Sequence, residues 1–169
     1  RKYLAPGLFG PCGYGLPSII GAKIACPDTP VVGFAGDGAF GIAVTELTAI
    51  GREEWPAITM IVFRNYQWGA EKRNSTLWYS DNFVGTELDE GVSYAAIASA
   101  CGLKGVQART MDDLTDALDK ALKDQKAGKT TLIEALINQE LGEPFRRDAM
   151  KAPVAVAGID PADMRPQEV

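Results

Sequence analysis

Two oxygen-bearing side chains follow two apolar runs of the chain and could bind a metal ion. Asp37 comes soon after the run at residues 31–35 and is flanked by Gly36 and Gly38, while Asn65 comes soon after the run at residues 57–63. Carboxylate and amide oxygens are ligands that magnesium accepts, and glycine lets backbone approach a ligand closely. These residues therefore predict a magnesium-bridged diphosphate at a helix start. The simpler alternative is that Asp37 caps the helix and Asn65 turns a loop.

The composition restricts the other kinds of chemistry. The chain has no histidine, which excludes Ser/His and Cys/His triads and histidine-based zinc sites within these residues. Its three cysteines are widely spaced and form no CxxC pair, which is typical of reduced thiols in a cytoplasmic protein. A net charge of -5 with scattered basic residues argues against nucleic acid or an acidic membrane as partner. No apolar stretch approaches the roughly 20 residues needed to cross a bilayer, so we expect a soluble protein.

Hydrophobic periodicity predicts helices and strands that alternate along the chain. We therefore predict an α/β fold, three layers in the order α/β/α, with a mostly parallel sheet. Asp37 and Asn65 would then lie at the carboxyl ends of two strands, where open parallel sheets bind ligands. Residues 66–92 show no clear periodicity and are predicted to be a substrate or interface loop. The predicted helices are 16–25, 39–51, 94–101 and 111–126, and the predicted strands are 31–35, 57–63, 103–108 and 130–137.

The domain organisation follows from length and from a change in composition. A chain of 169 residues is the size of one domain. Beyond Asn138 the sequence turns to proline, arginine, aspartate and small residues, so we predict a binding domain at residues 1–140 and a C-terminal arm at residues 141–169. Because the chain starts at Arg1 instead of methionine, we expect it to be a piece of a longer protein.

Two short motifs are only partial matches to nucleotide-binding signatures. The stretch at residues 128–131 (GKTT) lacks the first glycine of a P-loop and would follow a helix instead of a strand. The stretch at residues 33–38 (GFAGDG) follows a predicted strand but is not GxGxxG, which leaves a nicotinamide-binding module as a weak alternative.

A longer pattern resembles a known family. The triplet Gly36, Asp37, Gly38 is followed after 26 residues by Asn65 and then by Gly69, which resembles the thiamine diphosphate binding motif. The stretch at residues 10–17 (GPCGYGLP) resembles the loop that precedes this motif in acetolactate synthase-like and pyruvate decarboxylase-like enzymes. The resemblance extends over almost the whole chain. It implies the thiamine diphosphate-binding fold, specifically the diphosphate domain, with thiamine diphosphate and Mg²⁺ as cofactors.

The resemblance also implies roles for individual residues. Asp37 and the side chain of Asn65 match the magnesium ligands, and Gln67 matches the position whose carbonyl completes the protein's share. Gly10 matches the position whose carbonyl receives the amino group of the cofactor's aminopyrimidine. Cys12 stands where the family has a larger aliphatic residue that supports the bent cofactor. The positions that hold the diphosphate are matched by Gly36, Gly38 and Ala39.

Three further segments favour one branch of the family. Residues 64–73, 82–88 and 142–150 resemble its acetyltransferases more than generic acetolactate synthases. The implied reaction transfers acetyl from sulfoacetaldehyde to phosphate and gives acetyl phosphate and sulfite. Two alternatives stay open at this point: an acetolactate synthase-like carboligase or decarboxylase domain, and an isolated, non-catalytic cofactor-binding fragment.

The family resemblance also indicates which groups meet the substrate and which are missing. Glu71 lies at the distance from the metal-binding Asn where related enzymes place a working glutamate. Lys72, Arg73, Arg146 and Arg147 are candidates for binding the sulfonate or phosphate, since arginine offers a planar fork to oxyanions. The alternative for all five is a solvated surface charge. In this family an activating glutamate is supplied by the pyrimidine-binding domain of a neighbouring subunit, which implies a homodimer or homotetramer.

Overall fold

The computed structural model describes residues 3–52 and 54–139, which form two compact units. Of these described residues, the larger unit holds 3–52, 54–66 and 89–138, and the smaller unit holds 67–88 and 139. The helices are α1 (Gly15–Ala25), α2 (Asp37–Ile42), α3 (Leu47–Ile50), α4 (Gly69–Trp78), α5 (Tyr94–Ala100) and α6 (Met111–Lys126). The strands are β1 (Val32–Gly36), β2 (Thr59–Arg64), β3 (Lys104–Ala108) and β4 (Thr131–Leu136).

The larger unit is built on a four-stranded parallel sheet. The strand order is β1-β2-β4-β3, and every neighbouring pair is parallel. The pair β1 and β2 is in register up to Gly36 opposite Phe63, and the pair β2 and β4 up to Arg64 opposite Leu136. All four strands therefore point their carboxyl ends to one edge of the sheet. The residues that directly follow β1 and β2 are neighbours there.

Helices cover both faces of this sheet, which confirms the predicted α/β fold with a parallel sheet. One face contributes Met60, Val62 and Leu132 to a core shared with α1, α2, α3 and α5. The opposite face contributes Ile61 and Ile133 to a second core with α6. Successive side chains of a strand point to opposite faces of the sheet and thus pack into two separate cores, as expected for strands buried on both sides.

Two residues mark helix ends as the sequence predicted: a glycine after α5 and a threonine before α6. Gly102 follows α5 with φ +83, the left-handed conformation that glycine adopts at helix ends. Thr110 caps α6: its side chain accepts from the backbone N–H of Asp113, and the Asp113 side chain accepts from the backbone N–H of Thr110. These reciprocal hydrogen bonds form a capping box and fix the start of α6.

The predicted helix at residues 39–51 is wrong in its continuity. The segment contains α2, a 3-10 turn at Val44–Glu46 and then α3. Phe40, Leu47 and Ile50 are all buried, so the apolar spacing was read correctly. The helix is interrupted where glycine and β-branched residues lower helix propensity, at Gly41, Val44 and Thr45.

The prediction that residues 66–92 form a loop is also wrong in part, because the segment contains α4. Good helix formers at residues 70–73 (AEKR) support this helix. Periodicity missed it because polar and charged residues occupy most of its positions and leave no apolar stripe.

Helix α5 packs so closely on β3 that Gly105 has no room for a side chain. A β-carbon at Gly105 would lie 1.8 Å from the carbonyl oxygen of Ala95. We expect Gly105→Ala to lower the free energy of unfolding of the full-length protein by about 3 kcal/mol, the upper range for overpacking. Urea unfolding measures this. The control is Gly21→Ala, since Gly21 is exposed in α1 with no described atom within 4 Å of an added β-carbon. Equal stability of Gly105→Ala and wild type would contradict the packing.

Candidate metal and diphosphate site

The ends of β1 and β2 meet through a hydrogen bond between the residues that follow them. Asp37 comes directly after β1 and Asn65 directly after β2. The backbone N–H of Tyr66 donates to Oδ2 of Asp37 at 2.7 Å. Asp37 is thus in direct contact with the residue next to Asn65, so the two residues that the sequence singled out lie close together at the chain ends of β1 and β2.

The carboxylate of Asp37 is buried and accepts hydrogen bonds from backbone N–H groups. Asp37 is 2% exposed, and its Oδ1 accepts from the N–H of Gly38 at 3.0 Å. Burial raises the pKa of Asp37 above its ordinary value of 3.8, although the N–H groups of Tyr66, Gly38 and Asn65 oppose this. A bound divalent cation would offset the cost of burial, because an opposite charge favours the ionised form. The site therefore fits a magnesium ion.

The backbone around Asp37 leaves room for a ligand. Gly36 is exposed and extended (φ -73, ψ 159), and no described atom lies within 4 Å of a β-carbon built on it. Gly38 and Ala39 lie in the first turn of α2. N–H groups at a helix start favour an anion, so this stretch fits the predicted diphosphate contact.

The glycine-dense stretch that leads into α1 lies close to β1 and α2. A β-carbon at Gly15 would be 3.2 Å from the carbonyl oxygen of Phe34, and one at Gly13 would be 3.2 Å from Cγ2 of Ile42. Gly10 has φ +57 and is exposed, as is Cys12. Gly13 of this loop therefore lies beside the end of α2.

A buried ion pair that sequence reasoning missed lies behind the site. Nη1 of Arg64 donates to Oε1 of Glu134 at 2.7 Å, and the two side chains are 4% and 0% exposed. Nη2 of Arg64 donates to the carbonyl of Glu90 at 2.8 Å, and its guanidinium lies 4.4 Å from the ring centroid of Tyr66. The available signal was a charge in or next to an apolar run: Glu134 lies within the predicted strand at residues 130–137, and Arg64 directly follows the one at residues 57–63.

Glu134 collects more hydrogen bonds than the one from Arg64. Its Oε2 accepts from Ser93 Oγ at 2.9 Å and Gln107 Nε2 at 3.0 Å, while backbone N–H groups at the start of α5 donate to both oxygens. Burial acts to raise the pKa of Glu134, but these hydrogen bonds outweigh it and hold the pKa below the ordinary 4.5. Glu134 is therefore an ionised, fully buried side chain that binds the start of α5.

Tyr94 forms hydrogen bonds with both Glu134 and Asp37. Its hydroxyl donates to the backbone carbonyl of Asp37 at 3.0 Å, and its ring meets Phe40 edge-on with 5.2 Å between centroids. Burial and the negative charges of Asp37 and Glu134 raise the pKa of Tyr94, and Arg64 opposes them. The phenol therefore stays protonated at neutral pH and acts as a donor.

The smaller unit holds the other predicted residues that the structure describes. Gln67 is buried, pairs in a β-bridge with Glu87, and donates from Nε2 to the carbonyl of Gln139 at 3.0 Å. The ammonium of Lys72 forms an ion pair with Glu87 and lies 5.3 Å from the ring centroid of Phe83. Glu87 therefore balances the charge of Lys72, one of the four basic residues predicted to meet a substrate anion.

The remaining candidates differ in how far the structure describes them. Glu71 is exposed in the first turn of α4, and Arg73 is half-buried in the same helix. Arg146 and Arg147 lie outside the described residues, as does the predicted arm at 141–169. Across residues 3–52 and 54–139, no three His, Cys, Asp or Glu side chains gather into a metal site. The predicted magnesium site relies instead on one carboxylate together with amide and backbone oxygens.

The described part of the chain also bears on two expectations from composition. Cys12, Cys26 and Cys101 are free thiols, as their spacing predicted. None of the described helices has the length and apolar character required to span a membrane.

Comparison with known proteins gives consistent matches. Residues 1–135 match the family described as thiamine pyrophosphate enzyme, C-terminal TPP binding domain. The whole chain is 86% identical to a sulfoacetaldehyde acetyltransferase of Roseovarius nubinhibens, and 99% of it is 87% identical to one of Rhodobacter capsulatus. The chain spans 28% of the length of either relative.

A solved structure supports the fold independently. A thiamine diphosphate-dependent 4-hydroxybenzoylformate decarboxylase of Rhodococcus jostii aligns with 79% of this chain and 24% of its own, at a TM-score of 0.68 and 29% identity. The parallel sheet with helices on both faces is therefore similar in a protein that uses this cofactor.

Proposed function

Because the chain belongs to the thiamine pyrophosphate enzymes as a C-terminal TPP binding domain, we propose that the full-length protein is a sulfoacetaldehyde acetyltransferase. It would convert sulfoacetaldehyde and phosphate to acetyl phosphate and sulfite. The observation that carries this proposal is the 86% identity over the whole chain to a relative of that name. This chain supplies the part of the enzyme that holds the diphosphate and the metal.

In this proposal the ends of β1 and β2 hold Mg²⁺. Asp37 and Asn65 provide side-chain oxygens, and the backbone carbonyl of Gln67 provides a third ligand. The burial of Asp37 supports its role, since a desolvated carboxylate gains from an adjacent divalent cation. Phosphate oxygens of the cofactor would supply further ligands, which an octahedral magnesium requires.

Backbone groups around the metal would orient the rest of the cofactor. The residues that contact the diphosphate are Gly36, Gly38 and Ala39. Gly10 would accept from the amino group of the aminopyrimidine, and Cys12 would support the bent cofactor as a small apolar side chain. The open space at Gly36 and the approach of the glycine-dense loop to α2 support this arrangement.

The cofactor supplies the carbanion chemistry, and the protein supplies binding, orientation and electrostatics. In this proposal a glutamate from the pyrimidine-binding domain of a neighbouring subunit activates the cofactor, so the enzyme is a homodimer or homotetramer. Its free thiols support a cytoplasmic location. Glu71 would face the reacting carbon, and its exposure in α4 leaves its carboxylate accessible to a ligand.

The substrate anions would be met by basic residues beyond Asn65, namely Lys72, Arg73, Arg146 and Arg147. Lys72 is the weakest of these candidates because Glu87 already neutralises it. We expect the double change Arg146→Gln and Arg147→Gln to raise the KM for phosphate about tenfold in the full-length enzyme. A lost charge-assisted hydrogen bond typically costs about 1.5–3 kcal/mol.

Steady-state kinetics with phosphate as the varied substrate measures this effect. Arg52→Gln is the matched control, because Arg52 is exposed and paired only with exposed Glu54 among the described residues. An unchanged phosphate KM in the Arg146/Arg147 double variant would remove both arginines from the anion site.

Product analysis separates this proposal from acetolactate synthase-like chemistry. Full-length protein with Mg²⁺ and thiamine diphosphate is supplied either with sulfoacetaldehyde and phosphate or with pyruvate alone. We expect sulfite from the first mixture and no acetolactate from the second. Acetolactate without sulfite would favour the carboligase alternative.

The second alternative is that these 169 residues alone bind the cofactor and catalyse nothing. Calorimetry on the isolated chain with thiamine diphosphate and Mg²⁺ addresses it. Binding that disappears in Asp37→Ala, without turnover, would assign metal-diphosphate binding to this chain and activity to the longer protein. Equal binding by both chains would leave the metal site without support.

A further inference from the structure

Tyr94 contacts the residue that follows β1 directly and is linked to the end of β2 through Glu134. At one end of the residue, the hydroxyl donates to the carbonyl of Asp37, which follows β1. At the other end, the backbone N–H donates to Oε1 of Glu134 at 3.1 Å. The same Oε1 accepts from Arg64, the last residue of β2 and the neighbour of Asn65.

The side chains that link Asp37 to the end of β2, namely those of Tyr94, Glu134 and Arg64, are held firmly by packing. Glu134 is completely buried, and Arg64 is 3% exposed. The ring of Tyr94 packs edge-on against buried Phe40 at an interplanar angle of 86°. A hydrogen bond from a side chain fixed in this way restricts the peptide it contacts, because little freedom remains at the donor.

We propose that Tyr94 is a positioning residue that holds Asp37 in place relative to Asn65 for binding of the metal-diphosphate group. This inference rests on the proposed function, in which both residues bind Mg²⁺. Tyr94 acts through the backbone of Asp37 and has no part in the chemistry itself.

The expected effect is on cofactor affinity. A ligand set that is ordered before binding binds more tightly, because the cost of ordering it is not spent during binding. Without the hydroxyl, the Asp37 peptide samples more orientations, and binding must restrict them. We expect Tyr94→Phe to raise the Kd for thiamine diphosphate about fivefold at saturating Mg²⁺, in line with the loss of one neutral hydrogen bond.

Gly41 allows an independent test of the same contact. A β-carbon at Gly41 would lie 3.0 Å from the Tyr94 hydroxyl oxygen and 3.9 Å from its ring carbon Cζ. Gly41→Ala should therefore push the hydroxyl away and also raise the Kd. In the double variant with Tyr94→Phe the crowded oxygen is gone, so its Kd should match that of Tyr94→Phe alone.

The experiment is calorimetry on full-length protein stripped of cofactor, with urea unfolding of each variant alongside. Tyr79→Phe is the control, because its ring is exposed, and its Kd should equal that of wild type. A purely structural role would shift the unfolding midpoint of Tyr94→Phe and leave its Kd unchanged. That result would overturn the inference while wild-type binding still supports the proposed function. Failure of wild type to bind thiamine diphosphate would overturn both.

Discussion

Asp37→Ala is expected to raise the Kd of the full-length protein for thiamine diphosphate, at fixed Mg²⁺, by more than about 100-fold. Even outer-shell partners of a bound metal change affinity by about 10–100-fold, and Asp37 is proposed as a direct ligand. The substitution also removes the acceptor for the Tyr66 N–H, so the turn that carries Asn65 loses a hydrogen bond to the residue after β1. Calorimetry with thiamine diphosphate as titrant measures the effect.

Asp28→Ala is the control for this change. Asp28 is exposed in the turn between α1 and β1, so its removal should leave the Kd unchanged. Raising Mg²⁺ should recover part of the affinity of a weakened metal site, which separates a lost ligand from a misfolded protein. An Asp37→Ala protein that binds with wild-type affinity would contradict the assignment of Asp37 to the metal.

Glu134→Gln is expected to have the largest effect on stability, a loss of about 3–5 kcal/mol in the free energy of unfolding at neutral pH. The change leaves the guanidinium of Arg64 buried without its carboxylate. It also places an amide NH₂ toward N–H donors, since backbone groups of Tyr94 and Ala95 already donate to this side chain. Urea unfolding of the full-length protein measures the loss.

The pH dependence of this effect has a definite sign. The pKa of Glu134 is lower in the folded protein than its ordinary value of 4.5, because hydrogen bonds outweigh burial. The stability that its charge contributes is therefore present above pH 4.5 and is lost as the pH falls through the folded pKa. We expect the gap between wild type and Glu134→Gln to narrow as the pH drops below 4.5.

A double change tests whether the ion pair is responsible. Arg64→Met removes the charge that Glu134→Gln leaves uncompensated, so the double variant should be more stable than the two separate losses predict. Strict additivity of the two changes would contradict a direct interaction between Arg64 and Glu134.

Strongly patterned elements were predictable from sequence, and weakly patterned ones were not. Helix α6 has an apolar stripe, a threonine cap and an acidic third position, and its bounds were predicted correctly as Met111–Lys126. Helix α4 has no apolar stripe, so periodicity gave no signal for it. The interruption between α2 and α3 depends on local helix propensity. Periodicity did not reveal it, because buried apolar residues on both sides of the interruption keep the spacing of one continuous helix.

The candidate site also contains residues that the sequence could place and residues that it could not. Asp37 and Asn65 could be placed from sequence because two apolar runs predicted parallel strands, whose ends meet at one edge. The Arg64–Glu134 pair could not be placed, because the contact spans 70 residues and depends on β2 and β4 being neighbours in the sheet. Strand order is a tertiary property that hydrophobic periodicity does not contain. The proposed role of Tyr94 depends on tertiary packing too, because α5 packs on β3 and β4 while the Tyr94 hydroxyl reaches Asp37 after β1.

The most direct test of the proposed activity is phosphorus NMR on the full-length protein. The mixture contains sulfoacetaldehyde, inorganic phosphate, Mg²⁺ and thiamine diphosphate. We expect the phosphate signal to decline as acetyl phosphate appears, with sulfite formed in equal amount and no product when thiamine diphosphate is omitted. Unchanged phosphate and sulfoacetaldehyde in the complete mixture would contradict the proposed function.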